Sequence, residues 1–237
     1  MNTMTWPRAI LLDFYGTVVE EDDVAIAAIC EQVTSACGND AASRRIGSYW
    51  GRAFADMCLH SHGESFGSQR ELAVASLRET LLHFGPRLDA VTLSQSQWRY
   101  WTQPELFPES REVLASCGVP ICLVSNIDND DLAAALAHNG LSFDLIVTSE
   151  DCRAYKPRPE PFRRALSLLG LPPEAVLHVG DSIGADVRGA KAEGIPVLWI
   201  NRQGKSVPTG DDAPDYAASD LSGLLRVLPA ARSHRQG

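Results

Sequence analysis

Five short aliphatic or β-branched runs, at positions 10–13, 121–125, 145–148, 176–180 and 197–201, constrain this chain more than any other feature. Runs of this length between turn residues read as strands buried on both faces. Helical patterns at 130–138, 160–169 and 183–193 separate the later runs, and Gly140, Gly170 and Gly194 follow them as stop signals. Strand alternating with helix predicts βαβ units and an α/β fold on a doubly wound parallel sheet.

The rhythm fails between 20 and 102, where no good strand occurs. Four helices are expected there, at 22–37, 41–60, 69–84 and near 88–99. Ile26, Ile29, Cys30 and Val33 form a three-and-four stripe, as do Leu72, Ala75, Leu77, Leu81 and Leu82. The expected organisation is a core domain of residues 1–18 and 105–237, with an all-helical cap domain of residues 19–104 inserted after the first strand. Hinges fall at 18–21 and 103–108. The polar tail 231–237 is expected to be disordered.

The chain has 237 residues, 45% of them apolar, which suits a globular protein with a sizeable core. A formal net charge of −9 argues against a nucleic-acid surface but leaves an anionic small molecule open. No stretch is long and apolar enough to span a bilayer, and the first residues lack a basic segment followed by an apolar signal core. The expectation is a cytoplasmic protein that binds neither nucleic acid nor membrane, as a monomer or homodimer. The six cysteines have neither Cys-x-x-Cys nor zinc-finger spacing and read as free thiols. Only Lys156, Lys191 and Lys205 supply lysine, so Lys156 stands out within Tyr155-Lys156-Pro157.

Four stations carry chemistry, each at a strand end. Asp13 closes the first run, with Gly16 and Thr17 just beyond. Ser125 and Asn126 close the second. Lys156 is a point charge suited to a phosphate or carboxylate. Gly180-Asp181-Ser182-Ile183-Gly184-Ala185-Asp186 sets two carboxylates at a strand end and helix start. Parallel strands bring these ends to one edge, where open α/β sheets place their ligands. Three carboxylates beside a lysine, a serine and a threonine form a hard-oxygen set suited to Mg²⁺.

These four motifs, in this order, resemble those of the haloacid dehalogenase superfamily, with a helical cap after the first motif. The resemblance implies a Rossmann-like core and Asp13 as nucleophile. Thr17 and Ser125 would hold the transferring group, Ser125, Asn126 and Lys156 would bind substrate, and Lys156 would steady the nucleophile. Asp13, Asp181, Asp186 and the Tyr15 carbonyl would serve Mg²⁺.

Tyr15 departs from the pattern of the superfamily's phosphatases, which place there a second Asp that protonates the leaving group. Tyrosine titrates near 10 and is a poor base at neutral pH. Asp-x-Tyr-Gly-Thr is similar instead to the 2-haloacid dehalogenases, whose leaving halide needs no proton, but which need no metal and lack the paired acids of the fourth motif. Because Asp181 and Asp186 are both present, the reading carried forward is an Mg²⁺-dependent phosphohydrolase acting on a small phosphorylated metabolite. Its alternatives are a metal-independent 2-haloacid dehalogenase and a non-catalytic protein that binds a phosphorylated ligand. Carbon–phosphorus hydrolysis through a Schiff base is set aside, since the expected cap contains no lysine. His60 and His62 are candidates for a proton donor brought in by cap closure. Asp128, Asp130 and Asp131 read as capping and surface charge, Arg44, Arg45 and Arg52 as a solvated face, Trp98, Tyr100 and Trp101 as packing, and His178 as a satisfied core histidine.

Overall fold

The computed structural model describes residues 6–37 and 43–228, so the tail at 231–237 and the start expected for the second helix at 41–42 lie outside the described residues. The chain runs β1 (Ala9–Leu12), α1 (Asp23–Cys37), α2 (Ser43–His60), α3 (Gln69–Phe84), α4 (Ala90–Thr102), α5 (Ser110–Ser116), β2 (Ile121–Ser125), α6 (Asn129–Asn139), β3 (Leu145–Thr148), α7 (Ser149–Cys152) and α8 (Pro159–Leu169). It continues through β4 (Val176–Gly180), a wide π-turn (Ile183–Val187), α9 (Arg188–Ala192), β5 (Val197–Ile200), β6 (Tyr216–Ala218) and α10 (Gly223–Val227).

The strands form one sheet in the order β3-β2-β1-β4-β5-β6, and every pair is parallel. In β1, Ile10 and Leu12 pack into the cluster on one face while Ala9 and Leu11 pack into the cluster on the other. This two-residue period with all four side chains buried is why the strand reads as an unbroken apolar run. The sheet centre is therefore fixed by β1, and Asp13 is the first residue past it.

Helices α1–α4 all fall between β1 and β2 and enclose an apolar cluster of their own around Ile29, Val33, Ile46, Trp50, Leu77 and Leu81. The stripe expected in α1 is the face it buries. That expected in α3 is only partly so: Leu77 and Leu81 are buried, Leu72 and Ala75 half-buried. Its buried residues are Gln69, Ala73, Ser76, Leu77, Thr80 and Leu81, and Leu82 lies in solvent. Small and hydroxylated side chains serve there because the helix packs closely on α2. Trp50 Nε1 donates to Ser76 Oγ at 3.0 Å, and Thr80 returns its hydroxyl to the Ser76 carbonyl at 2.8 Å. Ser68 and Glu71 form a reciprocal capping box at the start of α3. The two connections to the sheet run side by side: Val19 bridges Leu106, and Glu20 N donates to the Glu105 carbonyl.

The helix expected at 183–193 begins instead as the π-turn. Ser182 Oγ caps Ala185 N, and the Asp186 carboxylate accepts from Ser182 N, so the chain widens to carry Asp186 back over β4. Such widened turns concentrate at functional sites. No helix among the described residues is long and apolar enough to cross a membrane, and all six cysteines are free.

Candidate active site

Asp13 leaves β1 into a turn that only glycine completes. Gly16 has φ +81°, and a Cβ there would stand 2.6 Å from Asp181 Cγ. Gly180, at the end of β4, is as constrained, since its Cβ would meet Asp186 Cγ at 2.3 Å. The two glycines let the chain ends of β1 and β4 approach closely enough to share one set of carboxylates.

At the centre is Lys156, 4% exposed. Its Nζ donates to Asp13 Oδ1 at 2.7 Å, to Asp186 Oδ1 at 2.7 Å and to the Val124 carbonyl at 2.9 Å. All three ammonium hydrogens are thereby used. Thr17 Oγ1 donates to Asp13 Oδ2 at 3.1 Å, and Asp186 Oδ1 also meets His178 Nε2 at 2.9 Å. Asn126 lines the same cavity, but its amide is engaged on both sides with the Lys156 backbone. Its Nδ2 donates to the carbonyl at 3.0 Å and its Oδ1 accepts from the N–H at 2.7 Å. It is a clamp on the lysine loop rather than a free substrate ligand. Ser125, 3% exposed, lines the cavity beside it.

The charges are strongly perturbed. Burial acts against the Lys156 ammonium, and the Asp13 and Asp186 charges outweigh it, so the group stays charged well above the usual lysine range. Asp186 is held below the usual carboxylate range because Lys156 and His178 outweigh its burial. Burial raises Asp13, with Lys156 pulling the other way. Asp181 is pushed well up by burial and by the charges of Asp13 and Asp186.

Asp13, Asp181 and Asp186 each offer an oxygen, all within 4.8 Å of one another. Hard oxygens at that spacing fit a divalent cation in donor type. Two of the three carboxylates are nonetheless already paired with Lys156, and Asp181 is the one without an ion-pair partner among the described residues.

Tyr15 does not stand over Asp13 as a free acid. Its hydroxyl donates to the Trp101 carbonyl at 2.6 Å, and burial, then the Asp131 and Asp22 charges, hold its proton on well beyond the ordinary range. Trp101 in turn donates its indole N–H to Asp22 Oδ2 at 2.8 Å, and Gln97 Nε2 donates to the same oxygen at 2.7 Å. Tyr15, Asp22, Gln97 and Trp101 all line a cavity of about 360 Å³ that also takes in Asp13, Ser125 and Lys156.

Several side chains sit elsewhere than expected. His60 and His62 do not line the cavity, and His60 is exposed beside Asp56. Asp128 and Asp131 are buried rather than on the surface. Asp128 accepts from the N–H groups of Gln69 and Arg70 at the start of α3, and Asp131 pairs with the Arg70 guanidinium, so α3 is tied to α6. His178 is a buried core histidine as expected, and the partner of its Nε2 is Asp186. Trp101 packs in the core as expected and also forms part of the cavity wall. Asp22 was hidden in an acidic run that reads as a helix start, with nothing local to mark it out from Glu20, Glu21 and Asp23.

A family model described as haloacid dehalogenase-like hydrolase matches residues 7–194. The chain belongs to that family. Among the family's curated members, it is 26% identical to an (S)-2-haloacid dehalogenase of Pseudomonas sp. strain YL, over 96% of this chain and 97% of that one. It is 28% identical to the (S)-2-haloacid dehalogenase H-109 of Pseudomonas putida, over 90% and 94%. Among solved structures, an L-2-haloacid dehalogenase with 26% identity superimposes with a TM-score of 0.78, covering 94% of this chain and 99% of that one. These relatives overturn the Mg²⁺-dependent phosphohydrolase expected from the paired acids. The sequence shows that Asp181 and Asp186 are present, but not that Lys156 Nζ bonds Asp186 as closely as it bonds Asp13, nor that the Tyr15 proton is committed to Trp101. Of the paired acids, Asp186 is engaged by Lys156.

Proposed function

We propose that the protein hydrolyses the carbon–halogen bond of a small 2-haloacid, with Asp13 as nucleophile and without need of a metal ion. The observation that carries this reading is the Tyr15 hydroxyl, which donates to the Trp101 carbonyl at 2.6 Å in a chain related over its whole length to (S)-2-haloacid dehalogenases. Breaking a carbon–oxygen or phosphorus–oxygen bond leaves an alkoxide that needs a proton, and the residue two past Asp13 has none to give. A halide leaves without one.

In the first step an Asp13 carboxylate oxygen bonds to C2 as the carbon–halogen bond breaks, and the halide takes the bonding pair. In the second, water adds to Asp13 Cγ, the ester bond breaks and a 2-hydroxy acid departs. One proton of that water ends on the new hydroxyl and the other is released. Lys156 and Thr17 hold the two Asp13 oxygens in place, so the nucleophile is oriented before substrate arrives. Asp13, Asp181, Asp186 and the Tyr15 carbonyl would be the residues to hold a Mg²⁺, which would supply charge neutralisation that a displacement at carbon does not require. Residues 19–104 are proposed as a cap that closes the cavity and excludes water.

The test is halide release from 2-chloropropionate by wild type and Asp13→Asn, each with EDTA and with added Mg²⁺. Release that needs Asp13 and ignores EDTA supports the reading. Release abolished by EDTA, or retained in Asp13→Asn, overturns it.

A further inference from the structure

The chain winds tightly just past Asp13. The N–H groups of Thr17, Val18 and Val19 all reach the Phe14 carbonyl, at 3.3, 2.8 and 3.0 Å. The carbonyls of Gly16 and Thr17 accept from no backbone N–H among the described residues. Arg202, on the loop that follows β5, answers both. Its Nε donates to the Gly16 carbonyl at 3.2 Å and its Nη2 to the Thr17 carbonyl at 2.8 Å. A planar guanidinium fork holds two such acceptors at once, which the point charge of a lysine does not.

The same side chain grips the returning connection. Arg202 Nη2 lies 2.8 Å from Glu109 Oε1, and the guanidinium carbon lies 3.3 Å from the centre of the Phe107 ring. Phe107 N in turn donates to the Val18 carbonyl at 3.2 Å, and Ser110 Oγ donates to that carbonyl at 2.7 Å. Arg202 therefore fastens both the outgoing segment at 16–17 and the returning segment at 107–109 to the end of β5. An ion pair with Glu109 alone would leave the two carbonyl bonds unexplained. Both are made to the one turn that carries Asp13 and Thr17.

We propose that Arg202 is a positioning residue for the reaction at Asp13, setting the backbone at Gly16 and Thr17 so that the Thr17 hydroxyl orients the nucleophile. This rests on the dehalogenase reading for the reaction it serves and adds a residue to it. Thr17 Oγ1 donates to Asp13 Oδ2 at 3.1 Å, so a shift of the Thr17 backbone moves the donor that holds that oxygen. Lys156 still holds Oδ1, so Asp13 stays anchored at one oxygen and loses its fixed orientation at the other. Arg202 does not line the cavity around Asp13, so its loss falls on the displacement rather than on binding.

The experiment combines steady-state halide release from 2-chloropropionate with amide hydrogen exchange, in wild type, Arg202→Met, Arg202→Gln and Arg202→Lys. Arg202→Met keeps an apolar stem over Phe107 and removes the donors. Circular dichroism confirms folding, and Arg202→Gln takes the place of Arg202→Met if the latter does not fold. The expected kcat of Arg202→Met is about ten- to a hundredfold lower, with KM within about threefold of wild type. Arg202→Lys, which keeps the charge but not the fork, should recover part of that kcat. Exchange at the Thr17 and Val18 amides should quicken by about tenfold or more, while the β5 amides of Leu198 to Ile200 keep their wild-type rates. Four results would overturn the proposal: a kcat within about threefold of wild type in folded Arg202→Met, a rise in KM that accounts for the whole loss, an Arg202→Lys no better than Arg202→Met, or exchange that quickens equally in β5. If wild type releases no halide, the dehalogenase reading fails and exchange alone decides. Quickening confined to Thr17 and Val18, and reduced in Arg202→Lys, then upholds the positioning of the turn, and unchanged exchange removes it.

Discussion

The Lys156 ammonium lies 2.7 Å from Asp13 Oδ1, with both side chains shut away from solvent. Asp186 meets the same nitrogen at the same distance, so one cation holds two carboxylates that would otherwise repel. Breaking a buried pair by removing one partner leaves a charge with nothing to offset it. Lys156→Met should therefore cost about 3–5 kcal/mol in urea unfolding and abolish halide release. Loss of activity with unchanged stability would show that the clamp contributes only to chemistry.

The acidity of the site has a sign that can be checked. Asp13 is raised from its ordinary value by burial, so the acid limb of kcat/KM should lie above about pH 4, where a free aspartate titrates. Asp22 is likewise raised by burial, against the hydrogen bonds from Gln97 and Trp101. A raised carboxyl binds its proton more readily folded than unfolded, so its ionisation removes stability as pH climbs through and beyond the unfolded value. Asp22→Asn lacks that loss. Its stability relative to wild type, measured by denaturation across the pH range, should improve as pH rises from about 4. A difference that is flat with pH would remove Asp22 as an ionising group.

Tyr15 is an anchor in this account, not a proton donor. Tyr15→Phe deletes the hydrogen bond to the Trp101 carbonyl. The expected cost is about 1 kcal/mol and a Tm lower by about 2–4 °C, with halide release kept within a few-fold. A loss of several orders of magnitude in kcat with folding intact would make the hydroxyl a participant in the chemistry.

Arg70 joins α3 to α6 through Asp131, which is 1% exposed. Arg70→Ala leaves that carboxylate without its guanidinium, and Arg70 is itself partly in solvent, so the cost should be near 2 kcal/mol rather than that of a fully buried pair. Because the tie positions the inserted helices over the cavity, KM for the haloacid should rise more than kcat falls. Steady-state kinetics beside a melting curve would separate the two effects.

The sheet was legible because β1 to β5 are buried on both faces and read as apolar runs. β6 was not, since Tyr216-Ala217-Ala218 is an edge strand whose place is set by pairing with Leu198 to Ile200 and by Asp215 accepting from Val197 N. The bend at Ile183–Val187 escaped notice because a helix period continues through it, and only the pull of Asp186 toward Lys156 and Ser182 N opens the turn. Asp13, Thr17 and Lys156 could be placed at one edge from strand order alone. Asp22 could not, since the residues that select it from its acidic neighbours, Gln97 and Trp101, are distant in the chain. The activity is hidden from the sequence for a related reason. Residue types at 181 and 186 suggest a metal, while Lys156, which engages Asp186, lies across the fold on the loop between α7 and α8.

Esterification of Asp13 itself is tested by running a single turnover of 2-chloropropionate in heavy-oxygen water and weighing both products. If Asp13 attacks C2 and water then attacks Asp13 Cγ, the label appears in the peptide containing Asp13 and the 2-hydroxy acid carries ordinary oxygen. Label in the hydroxy acid with none on Asp13 would mean that water attacks the substrate directly, and would contradict the account.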